Sequence, residues 1–256
     1  MEQKIVFTNG RGQQLVGSIS ANNIDKKQPV FVFCHGFMAG KDSIKTSILS
    51  HLPINVCLFR FDFSGVGESE GSMEDTRISS YLDDLKSAIS QMENFSFVDK
   101  EKIILIGASL GGFIASLLAA QDKRIKGLVL VSPVSDIREI GERKLKGHSI
   151  DEWKSTGYMT FGEHEYKIKL GYSFVEDLMQ YNVYESVKNI GCPTLVVHGD
   201  SDQEVPISHS QKLFESLVCD KKMAVVKGAN HYYSNPLHFI HLVKIVLDWA
   251  KGKGLV

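Results

Sequence analysis

Short runs of β-branched and apolar residues at 30–34, 56–61, 103–106, 128–131, 194–197 and 223–226 alternate along this chain with longer amphipathic stretches. Such alternation predicts parallel strands joined by helical crossovers. The clearest helices are expected at 78–92, 110–120, 208–217 and 237–250. Ahead of them, 4–8 and 13–20 flank Asn9-Gly10-Arg11-Gly12, and Asn-Gly supplies the positive φ angles of a tight turn. An antiparallel hairpin should therefore open the chain. The resulting expectation is an α/β fold: a mostly parallel eight-stranded sheet with helices on both faces.

The alternation breaks down between 133 and 190, where Trp, Tyr, Phe, His, Lys and Glu are frequent and no central strand is evident. This stretch reads as an inserted helical cap. Its rings, Trp153, Tyr158, Phe161, Tyr166, Tyr172, Phe174 and Tyr181, either pack the cap onto the sheet or roof an apolar pocket. No internal repeat or low-complexity linker interrupts the 256 residues, so one domain spanning 1–256, with the cap at about 133–190, is expected.

Composition narrows the ligand. The formal net charge is −1 and lysines and arginines form no basic block, which gives nucleic acid or an anionic membrane no electrostatic hold. A small neutral or mildly charged molecule is the expected partner, and a net charge near zero leaves a homodimer possible. Cys34, Cys57, Cys192 and Cys219 form no CxxC pair and no zinc-like spacing with histidine, so reduced thiols and no metal are expected. The first residues lack the apolar stretch of a signal peptide, and no apolar run is long enough to span a bilayer. A cytoplasmic protein is the expectation.

The segment Gly107-Ala108-Ser109-Leu110-Gly111 lies between an apolar run and a helix. A serine in a G-x-S-x-G turn of this kind sits on a strained strand-to-helix corner that pushes its hydroxyl out above the sheet. Glycines are needed on either side because side chains there would collide with neighbouring elements. A serine hydroxyl is a poor nucleophile at neutral pH, so it requires a base and a carboxylate to orient that base. The run 194–198 leads into Gly199-Asp200-Ser201-Asp202, where Asp202 is the candidate acid and Asp200 its rival, the latter also readable as a turn-former. The last strand leads into Lys227-Gly228-Ala229-Asn230-His231, and His231 is the candidate base. Loops at the carboxyl ends of strands are where α/β proteins build their sites. His198 reads as a residue that caps the acid loop, and His51, His148, His164, His209, His238 and His241 as surface or packing residues. Cys34-His35-Gly36-Phe37-Met38 offers an oxyanion loop in which the N–H of Phe37 would pair with that of Leu110, while His35 fixes the loop. Gly65-Val66-Gly67 lacks dinucleotide-binding spacing, and no cofactor is expected.

The order of these segments, His35-Gly36, then Asp62-Phe63-Ser64-Gly65-Val66-Gly67-Glu68-Ser69, the serine turn, the Asp202 loop with Val205-Pro206, and Asn230-His231, resembles the α/β-hydrolase superfamily. Within it the chain is most similar to compact carboxylesterases: the cinnamoyl and feruloyl esterase-like, serine aminopeptidase-like and monoglyceride lipase-like group. The resemblance implies Ser109 as nucleophile, Asp202 as acid, His231 as base, and Phe37 and Leu110 as oxyanion donors. It also implies cleavage of carboxylic esters with small or medium acyl or aromatic parts through an acyl-enzyme. Ala108 departs from the histidine that many relatives carry before the serine. Amide, peptide or thioester cleavage uses the same chemistry, and a peptidase would want a cap carboxylate for a free amino terminus: Glu163, Glu165, Glu176 or Asp177. Acyl transfer to an acceptor other than water and ligand binding without catalysis are also compatible with these residues.

Overall fold

A computed structural model describes residues 1–42, 55–144, 149–162 and 167–256. Strand β1 (Glu2–Thr8) pairs antiparallel with β2 (Gln14–Ser20), in register from Glu2 opposite Ser20 to Thr8 opposite Gln14. The expected hairpin is present, but its turn is wider than a two-residue one. The left-handed residue is Gly12, at φ 82°, and the Asn9 side chain accepts hydrogen bonds from the N–H groups of Arg11 and Gln13. Asparagine thus closes the turn through its side chain rather than its own backbone angle.

Strands β3 (Gln28–Cys34), β4 (Cys57–Phe61), β5 (Val98–Ala108), β6 (Ile125–Val131), β9 (Thr194–Gly199) and β10 (Lys221–Val226) run parallel. The eight-stranded order is β1-β2-β4-β3-β5-β6-β9-β10, with β2 antiparallel to β4. From β3 the chain steps to β4 on one side and then to β5 on the other. Neighbouring connections therefore diverge to opposite faces between β3 and β5, which opens a crevice at the strands' carboxyl ends.

Alternate strand residues feed two cores. Val30, Val32, Ile103, Leu105, Leu128, Leu130 and Val196 face helices α1 (Ile78–Met92) and α2 (Leu110–Ala119). Phe31, Ile104, Val129, Leu195 and Val197 face helix α8 (Pro236–Gly252) with Leu242, Val246 and Trp249. Both faces of the sheet are covered, which is why its central strands read as unbroken apolar runs. Helix α7 (Ile207–Ser216) links β9 to β10.

Between β6 and β9 lie α3 (Ile137–Lys144), α4 (Ile150–Thr156), α5 (Ser173–Leu178) and α6 (Val183–Ser186). The insertion also holds an element that the sequence did not suggest, a two-stranded antiparallel ribbon of β7 (Tyr158–Phe161) and β8 (Ile168–Gly171). Met159 and Leu170 point inward from it, and they join Trp153, Phe174 and Leu178 in the same buried cluster as β3, β5 and α2. Four-residue strands give too few alternations to stand out among aromatic and charged neighbours.

Candidate active site

The serine turn is built by close approach. A Cβ at Gly107 would lie 2.5 Å from the carbonyl oxygen of Gly111, and one at Gly111 would lie 2.2 Å from that of Cys34. Only glycine lets α2 begin so close to the ends of β5 and β3. Between them Ser109 has φ 53° and ψ −119°, a costly backbone for a residue with a side chain. Its N–H donates to Val131 of β6, and its carbonyl accepts from Val134, so the corner is held from both directions.

Strain is concentrated around this corner. Among the described residues, the non-glycine positions with positive φ are Met38, Ser109, Ser132 and Tyr233. They follow, in turn, β3, β5, β6 and the His231 position, so all lie in loops beyond the carboxyl ends of strands. Backbone strain of this kind persists only where the surroundings over-determine it, and it gathers at functional sites.

The acid loop is knitted by its own carboxylate. The Asp202 side chain is buried, and its Oδ1 accepts from the N–H groups of Glu204 and Val205, both at 2.9 Å. His231 Nδ1 lies 2.7 Å from Asp202 Oδ2, so the proton sits on Nδ1 and Nε2 is left as an acceptor. Burial alone would raise the Asp202 carboxyl, but hydrogen bonds from His198, His231 and the Val205 N–H outweigh it and hold the group well below the usual carboxylate range. Asp200, the rival, turns the other way: its Oδ1 accepts from the N–H of Gly228 at 2.6 Å and clips the acid loop to the loop that carries His231.

His198 is fully buried and does bond its loop, through Nε2 to the Val205 carbonyl at 3.0 Å. The same nitrogen lies 3.3 Å from Asp202 Oδ2, a contact that no sequence pattern signals. His209 packs inside, its Nδ1 accepting from the N–H groups of Ser135 and Asp136. His51, His148 and His164 lie outside the described residues.

On the other side of Ser109 is the loop after β3. A Cβ at Gly36 would stand 3.2 Å from Ser109 Cβ, so this loop lies directly against the serine. His35 fixes it, with Nδ1 donating to the Gly36 carbonyl and Nε2 accepting from the Phe63 N–H. Burial lowers its pKa, which fits a ring that stays uncharged between those two partners. The N–H groups of Phe37 and Leu110 donate to no acceptor among the described residues. Asp62, buried beneath, accepts from the N–H of Lys41 and of Glu68 and from the Lys41 ammonium. It thereby clamps the 36–41 loop to the 62–69 loop. The available signal was Gly67, which has φ 55° and where a Cβ would fall 2.3 Å from Asp62 Oδ2.

The insertion meets this loop through aromatic rings. Phe37 packs edge-on against Phe161 of β7, and Phe161 against Trp153. Of the carboxylates considered for binding an amine, Asp177 is committed elsewhere: Oδ2 accepts from the Ser79 N–H at 2.8 Å and Oδ1 from the Ser79 hydroxyl at 3.0 Å. Glu176 is exposed, while Glu163, Glu165 and Tyr166 lie outside the described residues. All four cysteines are free thiols, three of them buried. Among the described residues no helix is long and apolar enough to cross a membrane.

The sequence profile of the prolyl oligopeptidase family matches residues 78–254, more than half of the chain. The chain belongs to that family. Relatives in sequence include an uncharacterized Escherichia coli K12 protein, YfhR, 26% identical over 235 residues that cover 90% of this chain and 73% of that one. A mouse mitochondrial palmitoyl-protein thioesterase, ABHD10, is 21% identical over 237 residues, covering 90% and 78%. Among solved structures, Est1E of Butyrivibrio proteoclasticus with ferulic acid bound superposes with a TM-score of 0.79 at 23% identity, covering 95% of this chain and 98% of that one. Mouse ABHD10, an α/β-hydrolase domain protein, superposes with a TM-score of 0.80 at 19% identity, covering 98% and 99%. This member of the family is a hydrolase with the α/β-hydrolase fold.

Proposed function

We propose that this hydrolase is a serine carboxylesterase whose nucleophile is Ser109, whose base is His231 and whose orienting acid is Asp202. The observation that carries the reading is the buried Asp202 carboxylate bonded to His231 Nδ1 at 2.7 Å, in loops that leave the carboxyl ends of strands parallel to the one that ends at the strained Ser109 corner. In the reaction, His231 Nε2 takes the Ser109 proton as Oγ attacks the ester carbonyl. The developing oxyanion receives the N–H groups of Phe37 and Leu110, the latter at the positive end of α2. Collapse breaks the bond to the alkoxy oxygen, which takes the proton from His231 and leaves as the alcohol, with the acyl group on Ser109. Water, deprotonated by the same ring, then releases the acid. Among the described residues no hydrogen bond joins His231 to Ser109, and the proposed reaction requires that contact to form with substrate in place, as catalytic hydrogen bonds often tighten only in the complex.

The chemistry calls on no metal or organic cofactor, and the partner is a small ester with a short to medium acyl or aromatic portion beneath the insertion. A thioester is the second reading, favoured by the palmitoyl-protein thioesterase among the relatives. Peptide cleavage is a third reading, in keeping with the family match; Asp177 would not hold the substrate's amino terminus, because both its oxygens are already bonded to Ser79. Turnover of short p-nitrophenyl esters and of acyl thioesters by purified protein is the test. Ser109→Ala is expected to abolish both, by about 1000-fold or more; a variant that retains full activity would remove Ser109 from the reaction.

A further inference from the structure

Two imidazoles engage Asp202, and ester hydrolysis through Ser109 uses one. The other, His198, lies near the end of β9 with no exposed surface. Its Nδ1 is 2.6 Å from the hydroxyl of Ser210 on α7, and Ser210 is likewise fully buried. Its Nε2 is 3.0 Å from the Val205 carbonyl and 3.3 Å from Asp202 Oδ2. Both neighbours of Nε2 are acceptors, so this nitrogen must carry a proton and donate toward the pair. The Ser210 hydroxyl can serve Nδ1 as donor or acceptor.

We infer that His198 is a positioning residue for the acid–base pair, holding the Asp202 oxygen that faces His231 and tying it through Ser210 to helix α7. The inference rests on the reading of Ser109, His231 and Asp202 as the reacting set. The two carboxylate oxygens differ in their support. Oδ1 is fixed by two backbone N–H groups of its own turn, whereas among the described residues Oδ2 is met by the two rings alone, and one of these must move charge during the reaction. His198 supplies the stationary contact. By donating also to the Val205 carbonyl, it fixes the turn and the carboxylate together. A void in place of its ring would admit water to Oδ2, where water competes with His231.

Nitrogen-15 NMR of the wild-type protein tests this without turnover. His198 Nε2 is expected to be protonated; a ring protonated at Nδ1 alone overturns the inference, since Nε2 could not then donate to Asp202. The second readout is the hydrogen-bonded Nδ1 proton of His231. In His198→Ala it is expected to exchange with water about tenfold faster, the effect of losing one hydrogen bond to a charged group. His198→Gln returns an N–H to the same place and is expected to restore slow exchange. A folded His198→Ala protein with unchanged exchange overturns the inference. Should that variant not fold, fast exchange in His198→Gln overturns it and slow exchange supports it. In ester assays, His198→Ala should lower kcat about tenfold with little change in KM, and His198→Gln should recover it. Absence of wild-type ester hydrolysis would refute the functional reading, and the two NMR measurements would still decide the role of His198.

Discussion

At Asp202, two backbone N–H groups and two histidine rings satisfy a carboxylate that water barely reaches. Its folded-state pKa is depressed below that of the unfolded chain, so its contribution to stability is complete above the ordinary aspartate value, near about pH 4, and is lost as pH falls through the lower folded value. Asp202→Asn is therefore expected to lower the melting temperature at neutral pH yet to flatten its decline below about pH 4. Thermal unfolding of both proteins across acid pH measures this; parallel curves would contradict it. The same variant should lose about 1000-fold or more in kcat, because an amide can present the wrong partner to His231 Nδ1. At this scale the sequence was informative about Asp202 and His231, since each follows an apolar run in a short loop. It was silent on the bond from His198 to the acid, which depends on how the turn folds back.

Helix α1 shows what one element owes to a distant one. Its N-cap residue, Arg77, offers no side-chain acceptor, and the Ser79 N–H is instead received by Asp177, 98 positions away in the insertion. A carboxylate at a helix N-terminus satisfies an orphan donor and meets the positive end of the dipole. Asp177→Ala should destabilise the protein by about 1–2 kcal/mol, while Asp177→Asn, which keeps an acceptor, should lose less. Calorimetric melting of the two variants separates these outcomes, and equal effects would argue against capping. The bounds of α1 were legible because its apolar residues recur on one face, with Tyr81, Leu85, Ala88, Ile89 and Met92 inward. Its cap was not, since no local pattern encodes a partner so far along the chain. The β7–β8 ribbon was hidden for another reason, brevity.

For the whole molecule, the insertion and the sheet share one buried cluster, so they should unfold together. The two tryptophans provide a probe, since Trp153 packs in the insertion and Trp249 on the opposite face of the sheet. Fluorescence melts of Trp153→Phe and Trp249→Phe are expected to give coincident denaturant midpoints once corrected for each variant's stability. Well-separated midpoints would mean that the insertion folds as its own unit. The eight strands and their helices were readable because burial on both faces leaves mostly apolar side chains in the middle of the central strands, whereas the packing of the described insertion residues follows from aromatic contacts with no period. Ser109, finally, ties global stability to chemistry. Glycine adopts a positive φ without penalty, so Ser109→Gly should melt higher than the wild type, by on the order of 1 kcal/mol, although it has no nucleophile. Selection for stability alone would then favour the inert chain, so a serine kept at that corner would itself report that the reaction is being used.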